Sequence, residues 1–184
     1  MKRIALLVLL GLIVGNPAAG WCHEEQGWKS VSIRGGVEAT QRTQYFHQYE
    51  VAADYLLPWS LRAANGFGLS MEAETSLGAL HAAGRTGVLA SVGPTLVLDK
   101  GGKGLTFKIG GNLYGVSRHS YGSVDLNGYL LFAGHVDLLY RFAAGPGIGY
   151  RFQHMSNGGL GIGGGNNSNT GLDLHMLELS WDFY

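Results

Sequence analysis

From residue 28 onward, apolar and polar side chains alternate with a period of two in one segment after another, and glycine-rich breaks separate the segments. The pattern predicts eight strands, at residues 28 to 38, 44 to 57, 66 to 78, 86 to 99, 104 to 116, 128 to 142, 146 to 156 and 171 to 184. In the third, Phe67, Leu69, Met71, Ala73 and Leu77 share one face, and Ser70, Glu72, Glu74 and Ser76 share the other. The fifth sets Leu105, Phe107, Ile109 and Leu113 against Thr106, Lys108, Asn112 and Tyr114. Several segments exceed the ~5 to 6 residues typical of strands in soluble proteins and match the ~9 to 11 needed to cross a bilayer at a tilt.

Alternation alone fits a soluble sandwich as well as a membrane barrel. The placement of charge separates the two. Arg34, Glu50, Asp54, Glu72, Glu74, Lys108, Asp137, Arg141, Arg151 and Glu178 fall on the polar face, with both signs represented. The lumen of an eight-stranded barrel is narrow and filled by side chains, so mixed charges can pair inside while the apolar band faces lipid. The expected fold is all-β: an eight-stranded antiparallel transmembrane β-barrel, with these charges as its interior packing network. Residues 99 to 104 and 143 to 147 read as tight periplasmic turns, 117 to 127 and 157 to 170 as longer outward loops, and 58 to 65 as a longer connection. His175, Leu177, Leu179, Trp181 and Phe183 alternate toward an aromatic end, as in other outer-membrane barrels, with Tyr184 as one extra residue.

Composition changes the picture chiefly at the N-terminus. Lys2 and Arg3, the apolar run from Ile4 to Val14, and Asn16-Pro17-Ala18-Ala19-Gly20 read as a secretory signal peptide over residues 1–20, cleaved after Gly20 or Cys22. Residues 23–184 are then the barrel domain. Cys22 is the only cysteine, so no intramolecular disulfide is expected. With 13 Lys and Arg against 13 Asp and Glu, the formal charge is zero, which argues against a nucleic-acid partner. His47, His119, His135 and His175 are scattered without the spacing of metal ligands, so neither metal nor cofactor is expected. Gly161-Ile162-Gly163-Gly164-Gly165 lacks the βαβ surroundings of a nucleotide fingerprint.

The candidate chemistry lies at the end of the seventh strand. There Ile148, Tyr150 and Phe152 carry the apolar parity, and His154 and Ser156 continue it; Asp173 shares the apolar parity of Leu177, Leu179 and Trp181 in the eighth strand. Strict alternation therefore points all three polar groups outward, toward lipid at the outer rim. Ionisable groups placed there are functional candidates by default. Ser156 would act as nucleophile, His154 as its base, and Asp173 as the carboxylate that orients the imidazole. Asn157 and the backbone amides of Gly158 and Gly159 are candidate oxyanion donors.

His154-Met155-Ser156-Asn157-Gly158-Gly159-Leu160, followed by Asn169-Thr170-Gly171-Leu172-Asp173 opening the last strand, resembles the signature of the PagL-type lipid A 3-O-deacylases. The resemblance implies an integral outer-membrane barrel that hydrolyses the 3-O-linked acyl ester of lipid A. Its partner would be lipid A, or lipopolysaccharide, in the outer leaflet; a homodimer is left open. It also implies His154 as base, Ser156 as nucleophile, Asp173 as third member and Asn157 as an oxyanion donor. Two features depart from the family pattern. Asp173 stands where Glu is usual and is one methylene shorter, and residues 161 to 168 lengthen a loop that is usually compact. The rival expectations are an outer-membrane phospholipase A, which also uses His-x-Ser in a larger calcium-dependent barrel, and a structural or adhesive barrel without catalysis. His175, with the outward parity of Asp173, is the rival base.

Overall fold

The computed structural model describes residues 20–22, 26–40, 44–101, 103–159 and 171–183. Eight long strands follow one another: β1 (Gly27–Glu38), β2 (His47–Arg62), β3 (Phe67–Ala82), β4 (Arg85–Lys100), β5 (Gly104–Val116), β6 (Leu130–Arg141), β7 (Pro146–Ser156) and β8 (Leu172–Asp182). Each pairs antiparallel with the strand before it, and β8 pairs back onto β1, from Leu174 opposite Glu38 to Asp182 opposite Ser30. The sheet is thus a closed barrel. Closure is what a bilayer demands, because hydrocarbon offers no partner to the N–H and C=O groups of an open edge.

The expected parity holds around the barrel. All of the mid-strand charges named above are buried, while Ile33, Tyr49, Leu77, Leu105, Leu138, Ile148 and Leu177 stand exposed on the outer wall. Inside, Arg151 joins Glu74 at 2.9 Å and Asp137 at 2.8 Å. Arg34 meets Glu50 at 2.9 Å and Glu74 at 3.0 Å, and Lys108 reaches both Asp54 and Glu72 at 2.8 Å. Buried charges survive only when paired in this way.

The outer half of the lumen differs from the expected polar filling. Leu80, Leu89, Tyr114, Tyr121, Leu131, Met155, Leu172, Leu174 and Met176 form one buried apolar cluster there. Toward the outer rim both faces of the wall are therefore largely apolar, and the interior is closed by packing instead of ion pairs.

Two connections also differ. β3 runs on to Ala82 and meets β4 through Ala83 and Gly84, both at positive φ (51° and 68°), the conformation of a tight type I′ hairpin. Pro58, expected within a connection, lies inside β2. The register shifts between Leu56 and Ser60, so the missing proline N–H falls at an irregularity in the ladder. The link to β3 then shortens to residues 63 to 66. On the outer side, residues 117 to 127 carry a small ribbon of Ser120–Tyr121 paired with Val124–Asp125. Gly20–Cys22 pairs antiparallel with Ser60 to Arg62 of β2, while the rest of the expected signal peptide, residues 1–19, lies outside the described residues.

Replacing Arg151 with Ala leaves Asp137 and Glu74 without their shared cation. Removing one partner of a buried ion pair costs about 3–5 kcal/mol. The variant is expected to unfold at lower urea concentration than the wild type, read from the loss of the heat-modifiable folded band on a gel.

Candidate active site

The site is set by the pairing of β7 with β8. In that register His154 stands directly opposite Asp173, with Gln153 opposite Leu174 on the inward face. Arg151, Gln153 and Met155 point inward and are buried, so the intervening Phe152 and His154 must point out. His154 Nδ1 and Asp173 Oδ1 are 2.7 Å apart, with the two side chains 52% and 31% exposed. Direct register pairing brings the strands close enough for the shorter carboxylate to reach the ring. The carboxylate occupies Nδ1, leaving Nε2 as the nitrogen able to take a proton.

Ser156 follows two residues later on the same face, half-buried, with Phe132 of β6 as its register partner. No hydrogen bond joins its hydroxyl to His154 in this structure. Nucleophile–base contacts of unliganded sites are commonly long and tighten when substrate arrives. Met155, Leu172 and Leu174 alternate inward between these groups and lock into the apolar cluster of the outer lumen. The backbone carrying the site therefore rests on packed side chains.

The expected oxyanion donors are placed less uniformly. Asn157 turns inward and is buried, its Nδ2 donating to the carbonyl of Asn127 at 3.1 Å. Its Oδ1 accepts the N–H of Gly159 at 3.0 Å. Gly158 and Gly159 both adopt positive φ, 61° and 74°, which only glycine takes without strain. The Asn157 side chain and the Gly159 N–H are thus engaged in holding the turn. Leu160, Asn169, Thr170 and the long loop expected at 161 to 168 lie outside the described residues.

His175 faces outward as expected, but its ring is bonded to the Tyr150 hydroxyl and lies 5.6 Å from the Phe152 ring. Asp173 is committed to His154, so the structure unites His154 with Asp173 and leaves His175 apart. Three neighbours had no role in the sequence reading. Phe132 and Gly134 flank Ser156 and His154 from β6 through long-range register, which no local pattern signals. Gly171 lies against the His154 ring; its signal is a glycine just before the last strand.

The class of protein is defined by these features: a transmembrane barrel that presents an imidazole–carboxylate pair and a serine to lipid, not to its lumen. A family model described as lipid A 3-O-deacylase (PagL) matches residues 47–182, and the chain belongs to that family. It is accordingly a carboxylic ester hydrolase of the outer membrane. Among solved structures, the crystal structure of the outer membrane enzyme PagL superposes with a TM-score of 0.62 at 20% identity, covering 82% of this chain and 98% of that one. A designed transmembrane β-barrel superposes at 0.48 with 10% identity, over 88% of this chain and 99% of that one. No match was found among curated proteins.

Truncating Asn157 to Ala removes both side-chain bonds of the turn, to the carbonyl of Asn127 and from the N–H of Gly159. A typical hydrogen bond contributes about 0.5–1.5 kcal/mol net. The variant is expected to melt at lower temperature, measured by the heat-modifiable band across a temperature series.

Proposed function

We propose that the enzyme removes the 3-O-linked acyl chain of lipid A in the outer leaflet by a serine mechanism, with Ser156 as nucleophile, His154 as base and Asp173 as orienting carboxylate. The observation that carries this reading is the 2.7 Å contact between His154 and Asp173 on the lipid-facing wall, with Ser156 beside it. A site on that wall is supplied by lateral diffusion of lipid, and the ester enters from the membrane.

In the acylation step the Ser156 hydroxyl oxygen bonds to the ester carbonyl carbon while His154 Nε2 takes its proton. The carboxylate of Asp173 stabilises the imidazolium and keeps the ring in the required tautomer. Negative charge on the carbonyl oxygen would be met by backbone N–H donors of the turn that Asn157 holds, that of Gly158 first. Collapse breaks the bond to the sugar 3-oxygen, which leaves with the proton from His154. Water, deprotonated by the same imidazole, then frees the fatty acid and restores Ser156.

Mass spectrometry of lipid A from cells expressing the wild type is expected to show loss of one 3-O-linked acyl chain, and Ser156→Ala to leave the acyl pattern intact. An unchanged pattern with the wild type would sink the deacylase reading, and calcium-dependent loss of phospholipid would favour a phospholipase. Asp173→Asn keeps the size of the side chain but not its charge, and is expected to lower kcat by about 10⁴, as loss of the orienting carboxylate does elsewhere. A lipophilic fluorophosphonate is expected to label Ser156 in the wild type and to fail in His154→Ala, as followed by intact-protein mass.

A further inference from the structure

Resting on the triad reading, we propose that Gly171 is a positioning residue: it makes room for the His154 imidazole close against β8, and this is what lets the short carboxylate of Asp173 suffice. The residue is glycine for a reason other than its backbone. Its φ lies outside the left-handed region, in contrast to Gly158 and Gly159 across the loop. What it faces is the ring.

A Cβ built at residue 171 would lie 2.7 Å from Cε1 of His154, 3.4 Å from Nε2 and 3.6 Å from Nδ1. Carbon atoms approach comfortably to about 3.5–4.0 Å, so a methyl group there displaces the ring by roughly 1 Å. The ring is the part that gives, since it is a side chain half-exposed to lipid. It cannot move closer to Asp173, which already holds Nδ1 at 2.7 Å. Free space lies on the opposite side: the register partner of His154 on β6 is Gly134, where an added Cβ would meet nothing within 4 Å. A displaced imidazole therefore moves toward β6 and away from β8. Its bond to Asp173 opens beyond the ~3.2 Å limit of an N–H···O hydrogen bond, and Nε2 shifts relative to Ser156. A glutamate at 173, one methylene longer, can follow the ring across that gap. Gly171 and Asp173 are thus a matched pair, in which a bare backbone position compensates for a short acid.

The test is lipid A deacylation kinetics in detergent micelles with four variants: Gly171→Ala, Asp173→Glu, the two combined, and Ser156→Ala. Unchanged heat-modifiable migration establishes that each is folded. Gly171→Ala is expected to lower kcat by about 10–100-fold, the scale of a 1 Å misplacement, with KM little changed. The double variant is expected to recover most of that loss, which a merely structural role for Gly171 would not allow. Wild-type kcat in Gly171→Ala would overturn the proposal, and so would a double variant as impaired as Gly171→Ala alone. Full activity in Ser156→Ala would bring down the triad reading, and the positioning role with it.

Discussion

A strand in hydrocarbon has no water to satisfy its N–H and C=O groups, and everything else in this molecule depends on how that requirement is met. β8 must find β1, and it does so over the whole run from Leu174 to Asp182. Once the sheet is closed, every residue has one of two destinations, lumen or lipid, and neighbours in sequence take opposite ones. Arg151 and Gln153 are inside because Phe152 and His154 are outside. Closure thus turns a local alternation into a sorting of the whole chain between two solvents.

The two solvents set different terms. Within the lumen, charges are held in an interlocked set around Arg34, Arg151 and Lys108, each meeting at least two carboxylates. On the lipid side, a charged group costs about 2–4 kcal/mol at the bilayer midplane but only ~0–1 near the interface. His154 and Asp173 lie at the outer ends of their strands, where that cost fades, and they face each other, which lowers it further. The apolar cluster behind them, including Met155, Leu172 and Leu174, keeps the backbone of the site in place without competing for its polar groups.

The strands, their facing and the outward position of His154, Ser156 and Asp173 were legible because each follows from a period of two. The failures of that reading are equally physical. Pro58 looked like a break, yet a bulge in β2 absorbs it, since bulges depend on the partner strand and not on the local sequence. The outer lumen was expected to be polar, but alternation cannot distinguish an inward leucine that packs from one that faces lipid when both faces are apolar. The bond from Asn157 to the carbonyl of Asn127 was not legible either, because that partner comes from a loop far away in sequence. Gly171 stood in the motif without a role because the atoms that need its missing side chain belong to another strand.

What the sequence determined by itself is therefore the sorting: which residues face lipid, which face the lumen, and that a histidine, a serine and an aspartate share the lipid side. This follows from the fixed geometry of the extended chain, in which successive side chains point oppositely. What only the tertiary structure decided is register and distance. His154 meets Asp173 and not His175, a shorter acid reaches across 2.7 Å, and a glycine across the strand pair clears space for the ring. Register is set by the closure of eight strands acting together, and a period of two along one strand carries no information about which residue of the next it will face.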